Sequence, residues 1–192
     1  MSYSEMATKR KYELKKRAER LAETRRRITE TTVELHRTVG PAATRISEVA
    51  RRAGVQRVTV YNHFPDDASL FAACSAHWRD LHPAPDPSGW HGDLRTGLRE
   101  LYAWYRETEP MTANVLRDAH SLPALRAIVD GGFGAYLDAV RETLAKPFGR
   151  RERVDAALRA ATDFHFWQAL APLGDAEAAD LAAGLVELAA GS

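Results

Sequence analysis

The chain has 192 residues, 45% hydrophobic and 28% charged. That balance suits one or two globular domains with a buried core and excludes a large multidomain enzyme, wholesale disorder or a fibrous repeat. The net charge of +1 conceals a split, with 15 Lys or Arg against 7 Glu in residues 1–63 and 12 basic against 19 acidic residues in 64–192. A basic head on a mildly acidic body is the distribution a nucleic-acid binder needs, although a solvated charged helix would give the same count. No apolar run approaches the roughly 20 residues of a membrane helix. The basic N-terminus has no hydrophobic signal core, so a cytoplasmic protein without a membrane partner is expected. The single cysteine, Cys74, cannot make an internal disulfide and leaves no Cys-rich zinc site.

Residues 9–24 carry strong helix formers and almost no apolar face, which predicts an exposed, basic helical extension. From Arg25 the spacing of Ile28, Thr31 or Thr32, Leu35 and Val39 predicts a first packed helix, stopped at Gly40-Pro41. Thr44 is positioned to cap a second helix that ends at Ala53-Gly54. A third short helix is expected between Gln56 and Phe64, before Pro65 and a capping Asp66 or Asp67. Two short helices about a tight glycine turn make a helix-turn-helix candidate. A further helix over 67–81 carries Leu70, Phe71, Cys74 and Trp78 as a packing stripe. The stretch 82–92, with three prolines and two glycines, reads as a linker. Five apolar-periodic segments follow, at about 93–107, 111–120, 122–146, 152–171 and 175–189, divided by Pro110, Ser121 to Pro123, Pro147 to Gly149 and Pro172 to Gly174. The protein is expected to be all-α.

In a helix-turn-helix the second helix enters the major groove, so one of its faces must reach base edges while the other holds it to its neighbour. Ile46, Val49, Ala50, Val55, Val60 and Phe64 supply the inner face, and Ala50 and Gly54 permit close approach. Gln56, Arg57, Val58, Thr59, Tyr61, Asn62 and His63 are left to face a duplex. Arg57 suits guanine by a bidentate pair, Gln56 suits adenine, and Val58 suits a thymine methyl.

At Ile-Ser-Glu-Val-Ala-Arg-Arg-Ala-Gly-Val over 46–55, Thr-Val-Tyr-Asn-His-Phe over 59–64 and Leu70-Phe71, the chain resembles the tetracycline-repressor (TetR) family of bacterial transcription regulators. The resemblance in layout spans roughly residues 25–190, and in sequence mainly 25–78. It implies an N-terminal three-helix DNA-binding head, a connecting fourth helix and a C-terminal helical domain for ligand binding and dimerisation. The expected division is a basic extension over 1–24, the helix-turn-helix domain over 25–66 and the ligand-binding and dimerisation domain over 67–192. By the resemblance Thr44, Tyr61 and His63 contact phosphates, with Arg45 beside them, while Gln56, Arg57 and Val58 meet bases. One departure is evident: many members carry a phosphate-contacting lysine near the start of the fourth helix, where this chain has Pro65-Asp66-Asp67-Ala68. Asp67 would repel DNA, and the basic residues from Lys9 to Arg27 are placed to compensate through phosphate or minor-groove contacts.

In the body Trp104, Tyr105, Met111, His120, Phe133, Tyr136, Phe164, His165 and Trp167 combine aromatic surface with polar handles, as a ligand cavity requires and as ordinary core packing also does. Gly131, Gly132 and Gly134 interrupt a helical stretch and mark a kink or close approach near a pocket, or only a helix that starts later. The last two helices, rich in alanine, are the pair that in the resembled family meets its own copy. The expected partners are therefore a palindromic double-stranded DNA operator, an unidentified small-molecule effector and a second copy of the chain, with repression the expected mode. No cofactor is expected. An enzyme is disfavoured because no HExxH, phosphate-binding glycine loop, GxSxG or paired-carboxylate arrangement occurs, and His77, His82 and His91 form no convincing metal spacing. The alternative is a DNA-binding architectural or occlusion protein without an inducer.

Overall fold

A computed structural model describes residues 3–149 and 151–191, those up to residue 11 as helical backbone. The described residues form helices joined by short turns and loops, with no strand among them. Helix α1 (Tyr3–Thr38) is a single unbroken helix of 36 residues, about 54 Å long at 1.5 Å per residue. The exposed extension and the first packed helix are thus one element. Arg26 explains the continuity, since its guanidinium pairs back to Glu23 and forward to Glu30 across the point where the apolar pattern begins. Only the C-terminal part of α1 is buried, through Ile28, Val33, Leu35 and His36. The hydroxyls of Thr29 and Thr32 are satisfied by donating to the carbonyls of Arg25 and Ile28, at 3.0 and 2.7 Å.

Helices α2 (Ile46–Ala53) and α3 (Arg57–His63) follow. Gly54 between them has φ 65°, a left-handed conformation that favours glycine, and its N–H returns to α2 to close the helix end. Thr44 does not cap α2: its hydroxyl donates to Gly40 O at 2.8 Å, and Arg45 occupies the cap position without a side-chain bond. Helix α4 (Asp67–Leu81) is capped by Asp66, which accepts from the Ser69 N–H at 2.7 Å. Ile28, Leu35, Val49, Ala50, Ala53, Val60 and Phe64 form the head's core, completed by Leu70 and Cys74 of α4 and by Met111 from the next helix.

The stretch before α5 (Leu94–Ala119) is a packed segment rather than a free spacer. Trp90 is buried with its indole N–H donating to Glu100 at 2.7 Å. Helix α5 runs through Pro110, where two helices are expected from the sequence. Pro110 is exposed, and the intrahelical bond it forfeits is the one to the carbonyl of Arg106, itself an exposed residue, so the loss falls on the outer side of α5. Helices α6 (Pro123–Val129) and α7 (Ala135–Ala145) are joined by a π turn, Asp130–Gly134, which contains the three glycines. Helices α8 (Glu152–Ala161), α9 (Phe164–Leu170) and α10 (Asp175–Gly191) complete the chain.

The body's core joins Leu98, Leu101, Tyr102 and Tyr105 of α5 to Val140, Leu144, Leu158, Phe164 and Trp167, with Ala178, Ala179, Ala182, Ala183 and Val186 of α10 packed against them. The alanines let α10 lie close to α5 and α8. The hydroxyls of Tyr102 and Tyr105 donate to the carbonyls of Ala161 and Thr162, each at 2.7 Å, pairing groups that the end of α8 would otherwise leave unmatched.

Head and body meet at the C-terminal turn of α5. Asn114 donates to the carbonyls of His36 and Arg37 at 3.1 and 2.9 Å. The buried Asp118 accepts from the Ala42 N–H at 2.9 Å and from Arg117 at 2.7 Å. Gly40, with φ 91°, packs directly against Arg117 and Asp118, leaving no room for a side chain. The α1–α2 connection is therefore tied to three polar residues of the body.

Candidate nucleic-acid interface and ligand cavity

The outer face of α3 is built as a reading surface needs to be. Val60 points inward at 0% exposure, while Val58 and Tyr61 on the same seven-residue helix are 57% and 46% exposed. Such apolar exposure on a short helix has no internal use. Gln56, Arg57 and Asn62 are exposed beside them, and Thr59 and His63 are half-buried at the edges. The side chains of Arg45, Gln56, Arg57, Tyr61 and Asn62 have no partner among the described residues. Thr44 is half-buried and already engaged with Gly40, so a phosphate would have to compete for its hydroxyl. Asp67 is exposed at the start of α4.

Arg25 ties the end of α3 to α1. Its guanidinium donates to the His63 carbonyl at 2.6 Å and lies 4.1 Å from the centre of the Phe64 ring. This places the start of the exposed α1 extension next to the C-terminal end of α3. Lys15, Lys16, Arg17 and Arg20 continue outward from there on exposed helix, whereas Lys9, Arg10 and Lys11 lie outside the described side chains. Not all of the head's basic charge is available: Arg51 and Arg52 both pair with Glu48 at 2.6 Å, and these bonds hold the Glu48 carboxyl down at about 2.

A cavity of about 430 Å³ lies between α1, α4, α5, α6 and the π turn, within the usual range of about 300–1,000 Å³ for small-molecule sites. Trp104, Met111, Phe133 and Tyr136 of the sequence-predicted set line it. Tyr105, Phe164 and Trp167 stand behind this wall in the body core, with Tyr105 6.1 Å from Phe133 and 5.6 Å from Trp167 between ring centres. His120 and His165 are exposed and do not line the cavity. The remaining wall is supplied by residues that sequence reasoning did not select, among them His36, Phe71, Trp78, Arg79 and Leu125. Phe71 and Trp78 belong to the α4 stripe read as packing, so only the type of surface was visible beforehand.

Two buried groups at this cavity are held in their neutral forms. Burial pushes the His36 imidazole down to about 4 against the smaller opposing pull of Asp118, and pushes the Cys74 thiol up to about 12. Cys74 is thus an inert lining atom rather than a nucleophile. Among the described residues no cluster of three or more His, Cys, Asp or Glu is arranged to hold a metal ion.

Residues 28–74 match the family model described as "Bacterial regulatory proteins, tetR family". The head belongs to the TetR family. The match begins at Ile28, the first buried residue of α1, and ends at Cys74, the last α4 residue in the head's core, so it coincides with that packed unit. The TetR head is that of DNA-binding transcriptional regulators, and the helical remainder agrees with an all-α chain carrying a helix-turn-helix at its N-terminal end. No curated protein matches the chain. No described helix is long and apolar enough to cross a membrane.

Proposed function

We propose that the protein is a homodimeric repressor that binds a palindromic operator through α3 and is released when a small molecule occupies the cavity of the body. The observation that carries this reading is the partner-free outer face of α3, where Gln56, Arg57, Val58, Tyr61 and Asn62 stand exposed together on a helix held rigidly by α1, α2 and α4. Arg57 and Gln56 have the donor patterns for guanine and adenine edges, Val58 suits a thymine methyl, and Tyr61, His63, Thr44 and Arg45 border them for phosphates. In this division residues 1–24 form a basic prong that reaches flanking phosphates and offsets Asp67. Residues 25–66 read the operator, and residues 67–192 bind effector and partner.

Helix α10 supplies the dimer contact. Its alanine face is consumed by the body core, yet Leu181, Leu185 and Leu188 form a second stripe at 49%, 45% and 71% exposure. Spacings of four and three residues place them on one face, the pattern of a helix that packs on another helix. The cavity touches α1 and α4, the two supports of the head. An effector that prefers one spacing of the two heads therefore shifts the population away from the operator-binding form.

The double substitution Leu181→Glu with Leu185→Glu tests the dimer at the heart of this reading. Sedimentation should show a folded monomer, and operator affinity should fall by at least about 100-fold because each head then binds its half-site unassisted. A variant that remains dimeric, or a monomer that binds the full operator as tightly as the parent, contradicts it.

A further inference from the structure

We propose that the effector is a small organic anion, an apolar and preferably aromatic body ending in a carboxylate, which is held by Arg79 and Ser75 at the mouth of the cavity. The inference rests on the cavity being the effector site and specifies what that site selects.

The charge inventory of the wall is unbalanced. Among the described residues Arg79 is the one permanently charged residue of the wall, and no Asp or Glu lines the cavity. The Arg79 guanidinium has no carboxylate, carbonyl or ring partner among the described residues, unlike Arg26, Arg37, Arg95, Arg106 and Arg117, which all have carboxylate partners. Ser75 lies one helical turn before Arg79, so its hydroxyl shares the same face of α4, and it too is without a partner. A fork of donors with nothing to donate to, beside a serine hydroxyl, is the pattern that receives a planar carboxylate.

The π turn lies beside the guanidinium. Gly132 is cavity wall, and a β-carbon there would stand 3.7 Å from Arg79 Nη1, an ordinary contact distance that puts this wall against the guanidinium. The next residue, Phe133, stacks 6.1 Å from Trp104 to form the apolar bed. The other polar groups of the wall are already committed. Tyr136 donates to the Pro85 carbonyl at 3.1 Å, Thr112 to the Thr108 hydroxyl at 3.3 Å, and the Cys74 sulfur faces the Thr29 carbonyl at 4.0 Å. His36 is the exception: it is 3% exposed, packs its ring 5.7 Å from Phe71, and its imidazole has no hydrogen-bond partner among the described residues. Phe71 precedes Arg79 by two turns of α4, about 12 Å. The cavity therefore offers an anion site at one end, a neutral imidazole towards the other and aromatic surface between them.

Calorimetric titration of the full-length protein with three matched pairs tests the assignment: 1-naphthylacetate, 4-phenylbutyrate and decanoate, each against its uncharged primary amide. At least one acid should bind about tenfold more tightly than its amide, a factor set by a partly screened charged hydrogen bond. In Arg79→Gln, whose altered side chain is exposed and unlinked, that preference should disappear while amide binding is kept. Equal binding of acid and amide, or a preference that survives in Arg79→Gln, overturns the anion assignment and leaves the effector cavity standing. Absence of binding by all six probes overturns the cavity as an effector site and the anion assignment with it.

Discussion

Replacing Arg57 by Ala is expected to cost operator binding about 1–3 kcal/mol, between roughly 5-fold and 150-fold in affinity, and to relax sequence preference at a single base pair of each half-site. Folding should be unaffected, because the side chain is exposed and has no hydrogen bond or ion pair among the described residues. Arg57→Lys keeps the charge but loses the fork, so it should restore the salt dependence of binding without restoring the base preference. Tyr61→Ala on the same face should act differently, weakening all sequences together, since its assigned role is at phosphate rather than at a base edge. Anisotropy titrations against the operator and against a half-site variant at the contacted guanine distinguish the two. Equal behaviour of parent and Arg57→Ala on both duplexes would remove Arg57 from the reading surface.

The second large effect is on stability and concerns acid. His36 has an unfolded value near 6.5 and a folded value of about 4 because burial opposes its charged form. Between those values the unfolded chain binds the extra proton, so stability falls as pH falls. The contribution of this group is therefore complete above pH 6.5, declines as the pH drops towards 4 and is lost below it. At about 1.4 kcal/mol per pH unit the full loss is about 3 kcal/mol, a large share of the roughly 5–15 kcal/mol that holds a typical domain. Urea unfolding of the parent and of His36→Gln and His36→Phe, repeated from pH 7.5 to 4.5, measures the slope. Both variants should show a shallower acid loss than the parent. Parallel profiles would mean that His36 titrates alike in the folded and unfolded chains, with no depression by burial.

The head was legible in the sequence because its signals are local. Ile46, Val49 and Ala50 at helical spacing, Gly54 at the turn and Val60 facing inward each state their role within a few residues; the packed core uses the four apolar ones, and Gly54 supplies the left-handed turn. The two places where helices run on past an expected boundary have separate causes. Pro110 is a breaker only if the bond it forfeits is needed, and on an exposed face it is not. The joint near residue 25 carried a change of periodicity but no stop signal, and the Arg26 pairs span it.

The cavity was legible only in kind. Trp104, Met111, Phe133 and Tyr136 were found by their chemistry, but Tyr105, Phe164 and Trp167 have the same chemistry and face the core. What separates the groups is the side of α5 from which Trp104 and Tyr105 project and the packing of α9, which carries Phe164 and Trp167, into the body core, which is a tertiary fact. His36 and Arg79 belong to helices whose sequence signals were already explained by the head. The polar joint of Asn114, Arg117 and Asp118 to the end of α1 spans more than 70 residues of chain and leaves no trace in local pattern.

The measurement that tests the central claim most directly is a mobility-shift titration with footprinting, using the full-length protein and the intergenic DNA flanking its own gene at two salt concentrations. The account predicts one protected palindrome whose half-sites lie about one helical turn apart or somewhat more, bound by a dimer with steep salt dependence. Removing residues 1–20 should make that dependence shallower by about one unit of slope per lost phosphate contact. Weak binding spread evenly over all sequences, with no protected palindrome at either salt concentration, would contradict it.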